Sequence, residues 1–178
     1  MKNLARLVAV SVPVFVSLIA PTEPVATADP LPVTATVLRV VDGDTVDIVD
    51  DVRGRLRVRL LGIDTAETEK PGYTDGCWGD EAAQFAETNL TGQRVALITD
   101  PTQDPHDRFG RTLAYLTKAD GWNYSVEAAR AGAAKSYTYQ RKRVAEYRAI
   151  AAAEKEAIAA QRGLWGAPCF GNTASVPY

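Results

Sequence analysis

Residues 55–61 (RLRVRLL) alternate up to Leu60, with Leu56, Val58 and Leu60 on one side and Arg55, Arg57 and Arg59 on the other. Successive side chains of a strand point to opposite faces, so this segment buries one face and solvates the other. Upstream, 33–41 (VTATVLRVV) and 45–49 (TVDIV) are rich in β-branched residues. Asp42-Gly43-Asp44 makes a tight turn between them, and Asp50-Asp51 with Gly54 marks a second. Three strands on short turns predict an antiparallel meander. Residues 93–99 (QRVALIT) and 111–117 (RTLAYLT) read as a fourth and fifth strand, separated by a loop with two prolines. Five strands left open expose two edges, and closure into a small barrel removes them.

Helical spacing occupies the intervals. Ala82, Phe85, Ala86 and Leu90 share one face of 80–90, and Gly92 ends that run. Residues 123–131 form a short helix stopped by Gly132. A long helix is expected over 140–162, with Val144, Tyr147, Ala151 and Ile158 as its inner stripe and Gly163 just past its end. Arg141, Lys142, Arg143 and Arg148 would open that helix, where the macrodipole disfavours cations. That run reads as a basic strip for nucleic acid or as a solvated face. The class is therefore α+β, a five-stranded barrel with about three helices.

Residues 1–28 carry a secretory pattern: Lys2 and Arg6, an apolar stretch from Leu7 to Ala20, and the small-x-small triplet Ala26-Thr27-Ala28. The expected mature domain is 29–178, with a tail from about 167, and a domain of about 150 residues can bury one proper core. An oxidising destination makes Cys77–Cys169 a disulfide by default. With 20 basic and 22 acidic residues the net charge is −2. A whole-molecule basic field is excluded, so a nucleic-acid partner would need a local patch or a metal ion.

Three segments concentrate chemistry: Asp42-Gly43-Asp44-Thr45, the run 59–67 (RLLGIDTAE), and Asp107-Arg108-Phe109-Gly110-Arg111. Hard cations take oxygen ligands, which Asp44, Asp64 and the Thr65 carbonyl offer. Guanidinium forks suit phosphate oxygens, and Glu67 is available to orient or deprotonate water. Each piece alone also has an ordinary reading as turn chemistry or a solvated sheet face. Taken singly they stop at a small barrel with a possible divalent-ion site.

In combination, the order and spacing of these motifs closely resemble the staphylococcal nuclease family over about 34–166. VVDGDTVDI (40–48) is similar to the family's first calcium-ligand segment, which implies Asp44 as a ligand and Asp42 just outside the ligand ring. RLLGIDTAET (59–68) is similar to the second, implying Arg59 as a phosphate-binding arginine, Asp64 and Thr65 as ligands and Glu67 as the catalytic glutamate. DRFGRTLAY (107–115) implies Arg111 as the second catalytic arginine. GAAKSYTY (132–139) matches Tyr137 and Tyr139 to tyrosines of the nucleotide pocket. Ala66 and Phe109 depart from the usual proline and tyrosine, and the loop and tail holding Cys77 and Cys169 lie outside the common pattern. The resemblance implies an OB-fold and a monomeric, secreted, Ca²⁺-dependent hydrolase of DNA and RNA. Water would attack phosphorus, the 5′-oxygen would leave, and 3′-phosphorylated products would result. A non-catalytic OB module for nucleic acid and a calcium-stabilised extracellular domain are the alternatives.

Overall fold

The computed structural model of the chain describes residues 29–68 and 71–178; the expected leader at 1–28 lies outside them. The meander forms as its patterning predicts, from β1 (Ala35–Asp42), β2 (Thr45–Asp50) and β3 (Gly54–Leu60). After the short β4 (Ile63–Asp64) come α1 (Gly79–Leu90), β5 (Arg94–Ile98) and β6 (Thr112–Thr117). Then follow α2 (Tyr124–Ala131), β7 (Lys135–Ser136) and α3 (Tyr147–Ala159). The barrel closes in the order β1-β2-β3-β6-β5, and β4 pairs with β7 in a separate two-stranded ribbon. The architecture is the expected α+β, a closed five-stranded OB-like barrel with three α-helices.

Two irregularities in the β1–β2 register, at Val37/Arg39 and Val40/Asp42, bend β1 so that it also pairs with β5. Such bulges add local twist, which a closing barrel requires. The parallel pairing of β3 with β6 completes the closure and sets Arg59 opposite Leu113. Inside lie Val37, Val46, Ile48, Val58, Leu60, Val95 and Leu116, all essentially inaccessible to water. The outer face of the meander carries charge instead. Asp47 receives Arg57 at 2.7 and 3.0 Å and Arg39 at 2.7 Å, its cross-strand partners on either side.

The long helix differs from expectation. It starts at Tyr147, and Gln140 and Arg141, at the head of the expected span, adopt left-handed backbone (φ 47° and 64°). Of the four cations expected to open it, Arg141, Lys142 and Arg143 precede the helix, whereas Arg148 lies in its first turn. The Asp100 carboxylate accepts the Ala145 N–H at 2.6 Å, and the Thr102 hydroxyl reaches the Arg143 carbonyl at 3.4 Å. The buried stripe is Ile150, Ala153 and Ala157, whereas Ile158 is 46% exposed. Gly163 does not cap α3 either. A Cβ there would stand 2.3 Å from the Gly132 carbonyl oxygen, so the pair of glycines lets the helix exits of α2 and α3 touch. Cys77 and Cys169 are joined, 92 residues apart, as expected.

Several carboxylates are held below their ordinary range. Hydrogen bonds from the Arg53 side chain and backbone dominate at Asp50 and lower it. Those from Arg57, then Arg39, hold Asp47 down to about 2. Burial would raise Asp100, but bonds from Ala145, Thr102 and Tyr115 outweigh it. A depressed folded pKa stabilises above the unfolded value and is lost as pH falls through the folded one. Urea stability should therefore decline as pH drops from about 4 toward 2. Asp50→Asn should flatten that acid limb while lowering the plateau, as followed by urea midpoints across pH.

Candidate active site

The site begins at the β1–β2 turn. Asp42 Oδ1 accepts the Asp44 N–H at 2.9 Å, which shapes the turn. Gly43 is required there by close approach, since a Cβ would stand 2.7 Å from Thr65 Cγ2 and 2.9 Å from Ala82 Cβ. From below, the fully buried Tyr124 of α2 donates its hydroxyl to the Gly43 carbonyl at 2.7 Å. The loop after β4, the helix α1 and the helix α2 thus fix one glycine turn.

Asp44 is buried and fully engaged. Its Oδ1 accepts the Thr45 hydroxyl at 3.1 Å and lies 3.0 Å from Arg59 Nε. Its Oδ2 accepts the Thr65 N–H at 3.1 Å and the Thr65 hydroxyl at 3.3 Å. Arg59, near the end of β3, also gives Nη2 to Asp64 Oδ1 at 2.9 Å and Nη1 to the carbonyls of Leu60 and Ile63 at 2.8 and 2.9 Å. One guanidinium thereby collects acids from two separate turns. Thr45 carries the connection onward, because its hydroxyl accepts Arg111 Nη1 at 3.3 Å. Arg111 is aimed by Asp107, which takes its Nε at 2.6 Å and its backbone N–H at 2.9 Å.

Electrostatically the site is short of positive charge. Burial pushes Asp44 up to about 7, against the pull of Arg59 and with the charges of Asp42 and Asp64 adding. Partial desolvation raises the half-exposed Asp64 as well, opposed by Arg59 and reinforced by Glu67. Glu67 is exposed, and its carbonyl accepts the Gly76 N–H at 2.7 Å. Asp42 adds repulsion at both Asp44 and Asp64 and Glu67 adds it at Asp64, while Arg59 opposes it at both and Lys135, opposite Asp64 across β4–β7, opposes it at Asp64. Among the described residues no three His, Cys, Asp or Glu side chains form a metal cage by themselves. Asp44 and Asp64 converge instead as a pair on Arg59, with the Thr65 N–H and hydroxyl bonded to Asp44.

Beside the acids opens a cleft of about 460 Å³ lined by Arg59, Arg111, Phe109, Tyr137, Tyr139 and Lys142, among others. Tyr137 and Tyr139 are 41% and 55% exposed, so they line the cleft and do not pack in the core. Phe109 lies 4.6 and 5.4 Å from the Arg108 and Arg111 guanidiniums, and is mostly exposed. Arg59 belongs to both neighbourhoods. Thr45, Asp107, Tyr124 and Lys135, which also contribute here, have no role that the sequence motifs themselves assign. Asp107 stands four residues before Arg111, a readable pairing signal, whereas nothing local to Tyr124 announces its bond to Gly43.

The staphylococcal nuclease homologue family model matches residues 57–167, well over half of the chain. The chain belongs to the staphylococcal nuclease family. Among its relatives, the thermonuclease of Staphylococcus intermedius is 41% identical over 130 residues, covering 72% of this chain and 74% of that one. The thermonuclease of Staphylococcus hyicus is 36% identical over 129 residues, 72% and 73% of the two chains. An Escherichia coli protein named as an uncharacterized endonuclease is 34% identical over 130, with shares of 72% and 74%. The family match begins after Asp42 and Asp44, which join the site through their contacts with Arg59 and Thr65. The Gly43 turn brings those contacts about, held by the Asp42 carboxylate and by Tyr124. Losing the bond beneath it leaves a buried carbonyl unpaired, so Tyr124→Phe should cost about 1–3 kcal/mol in urea unfolding.

Proposed function

We propose that the protein is an exported, calcium-dependent nuclease that hydrolyses phosphodiester bonds of DNA and RNA, as a monomer, preferring single strands and leaving 3′-phosphorylated ends. The observation that carries this reading is that Arg59 lines a cleft with Arg111 while touching both Asp44 and Asp64. Membership of the staphylococcal nuclease family, and the thermonuclease and endonuclease names of its relatives, support it. The disulfide and the secretory pattern at 1–28 support export.

The acid excess and the oxygen-only donors fit a hard dication, which Asp44, Asp64 and the Thr65 carbonyl would hold, with Asp42 outside the ring and water completing the coordination. When bound, Ca²⁺ supplies Lewis-acid stabilisation of charge growing on the phosphoryl oxygens. Arg111, whose Nε is held by Asp107, turns its terminal nitrogens to the non-bridging oxygens, and Arg59, already bonded to Asp44 and Asp64, adds a fixed positive charge beside them, so both favour the charge-rich transition state over the diester. Glu67 orients the attacking water or takes its proton, the water oxygen bonds phosphorus, and the bond to the 5′-oxygen breaks as that oxygen takes a proton from solvent water. Tyr137, Tyr139 and Phe109 offer exposed ring faces beside these cations, a sequence-tolerant means of holding unpaired bases.

Incubation with single-stranded DNA and calcium should give cleavage that a chelator abolishes. Arg59→Ala and Arg111→Ala should each lower kcat by roughly 10²–10³, and Glu67→Ala by about 10²–10⁴, with circular dichroism unchanged. Binding without cleavage in calcium would instead identify a non-catalytic module. Near-native activity in all three variants would put the chemistry elsewhere.

A further inference from the structure

The loop that carries Glu67 is anchored on its N-terminal side by Thr65, whose N–H and hydroxyl bond Asp44. β4 is two residues long, and Ala66 has no ring to fix its φ. Behind it lies a layer that the chemistry above does not use. The Gly76 N–H donates to the Glu67 carbonyl at 2.7 Å. A Cβ at Gly76 would stand 3.0 Å from Ala66 Cβ and 3.2 Å from the Glu67 nitrogen, and one at Gly79 only 2.5 Å from Thr68 Cγ2. The glycines therefore let this layer press directly on the backbone of 66–68.

The C-terminal segment backs that layer. The same Gly76 Cβ would stand 2.7 Å from the Thr173 carbonyl oxygen. Thr74 donates its N–H to the Val176 carbonyl at 2.8 Å, and its hydroxyl accepts the Val176 N–H at 3.1 Å. The Gly72 carbonyl accepts the Tyr178 N–H at 3.1 Å, and the Cys77–Cys169 bond ties the two segments covalently. A second grip runs through the Gly171 carbonyl, which accepts Lys135 Nζ at 2.7 Å; Lys135 is the β7 partner of Asp64. The terminal segment thus reaches the site loop on two sides, at Glu67 through Gly76 and at Asp64 through Lys135.

We propose that Gly76 and the cross-linked C-terminal segment 169–178 are a positioning strap for Glu67, holding its backbone so that the carboxylate stays aimed at the scissile phosphate. The inference rests on the role given to Glu67 above. Neither Gly76 nor any residue of 169–178 lines the cleft, so the strap governs turnover and leaves substrate binding to the cleft. Small misplacements of a reacting group are costly to rate even when they arise away from the chemistry.

The test compares Gly76→Ala in the full chain with a chain ending at Gly171, which keeps the disulfide and the acceptor of Lys135. Steady-state kcat and KM are measured on single-stranded DNA with saturating calcium, below each variant's melting midpoint, in wild-type and Glu67→Gln backgrounds. On the wild-type background kcat should fall on the order of tenfold to a hundredfold while KM stays close to wild type. On the Glu67→Gln background neither change should lower kcat further, because residues acting through one group are not additive. An unchanged kcat, or an equal loss in both backgrounds, would overturn the strap. If the shortened chain does not fold, Gly76→Ala carries the same comparison. Full activity of Glu67→Gln alone would remove the role of Glu67, and the strap with it.

Discussion

The ion pairs of Arg59 with Asp44 and Asp64, at 3.0 and 2.9 Å, hold together parts of the chain that local structure alone would leave apart. Asp44 is buried and needs that partner. Deleting one side of a buried pair strands the other charge away from water, which is far more costly than the pair is worth when intact. The arrangement is also poised. Burial, more than any neighbouring charge, raises Asp44 to about 7 despite Arg59, with Asp42 and Asp64 adding to it. A cluster in that condition favours additional cations, and the cleft beside it supplies a second guanidinium from Arg111.

Barrel closure makes this possible. The parallel β3–β6 contact brings the 107–111 turn beside the end of β3, and the Thr45 hydroxyl joins Asp44 to Arg111. The same logic governs the periphery. A cross-link closing a loop of 92 residues is worth up to about 4–5 kcal/mol in the chain-entropy model, and here it also anchors the segment packed behind Ala66 and Glu67. Stability and the aim of a side chain are then served by the same contacts.

Much of the barrel was legible because it is locally encoded. The arginine-leucine alternation of 55–61 has one extended solution, and the Asp-Gly turn and β-branched runs agree with it. Helices α1 and α2 announce themselves by spacing and by Gly92 and Gly132. The long helix was misread because the apolar spacing from Val144 to Ile158 is compatible with more than one phase. Its start is decided by Asp100 and Thr102, more than forty residues away. The β4–β7 ribbon, two residues on each side, was too short to carry a pattern. At the site, residue types pointed to their chemistry, but the convergence of Asp44, Arg59 and Asp64 and the bond from Tyr124 to Gly43 are tertiary facts. No spacing encodes them.

The central claim is that Asp44 and Asp64 form one hard-cation site beside the two arginines. Titration calorimetry of Ca²⁺ into the protein reads it directly, with Asp44→Asn and Asp64→Asn compared at the same pH. The account predicts a single ion bound per chain and the loss of that binding in either variant. Undiminished binding in both, or an ion retained elsewhere on the molecule, would contradict it.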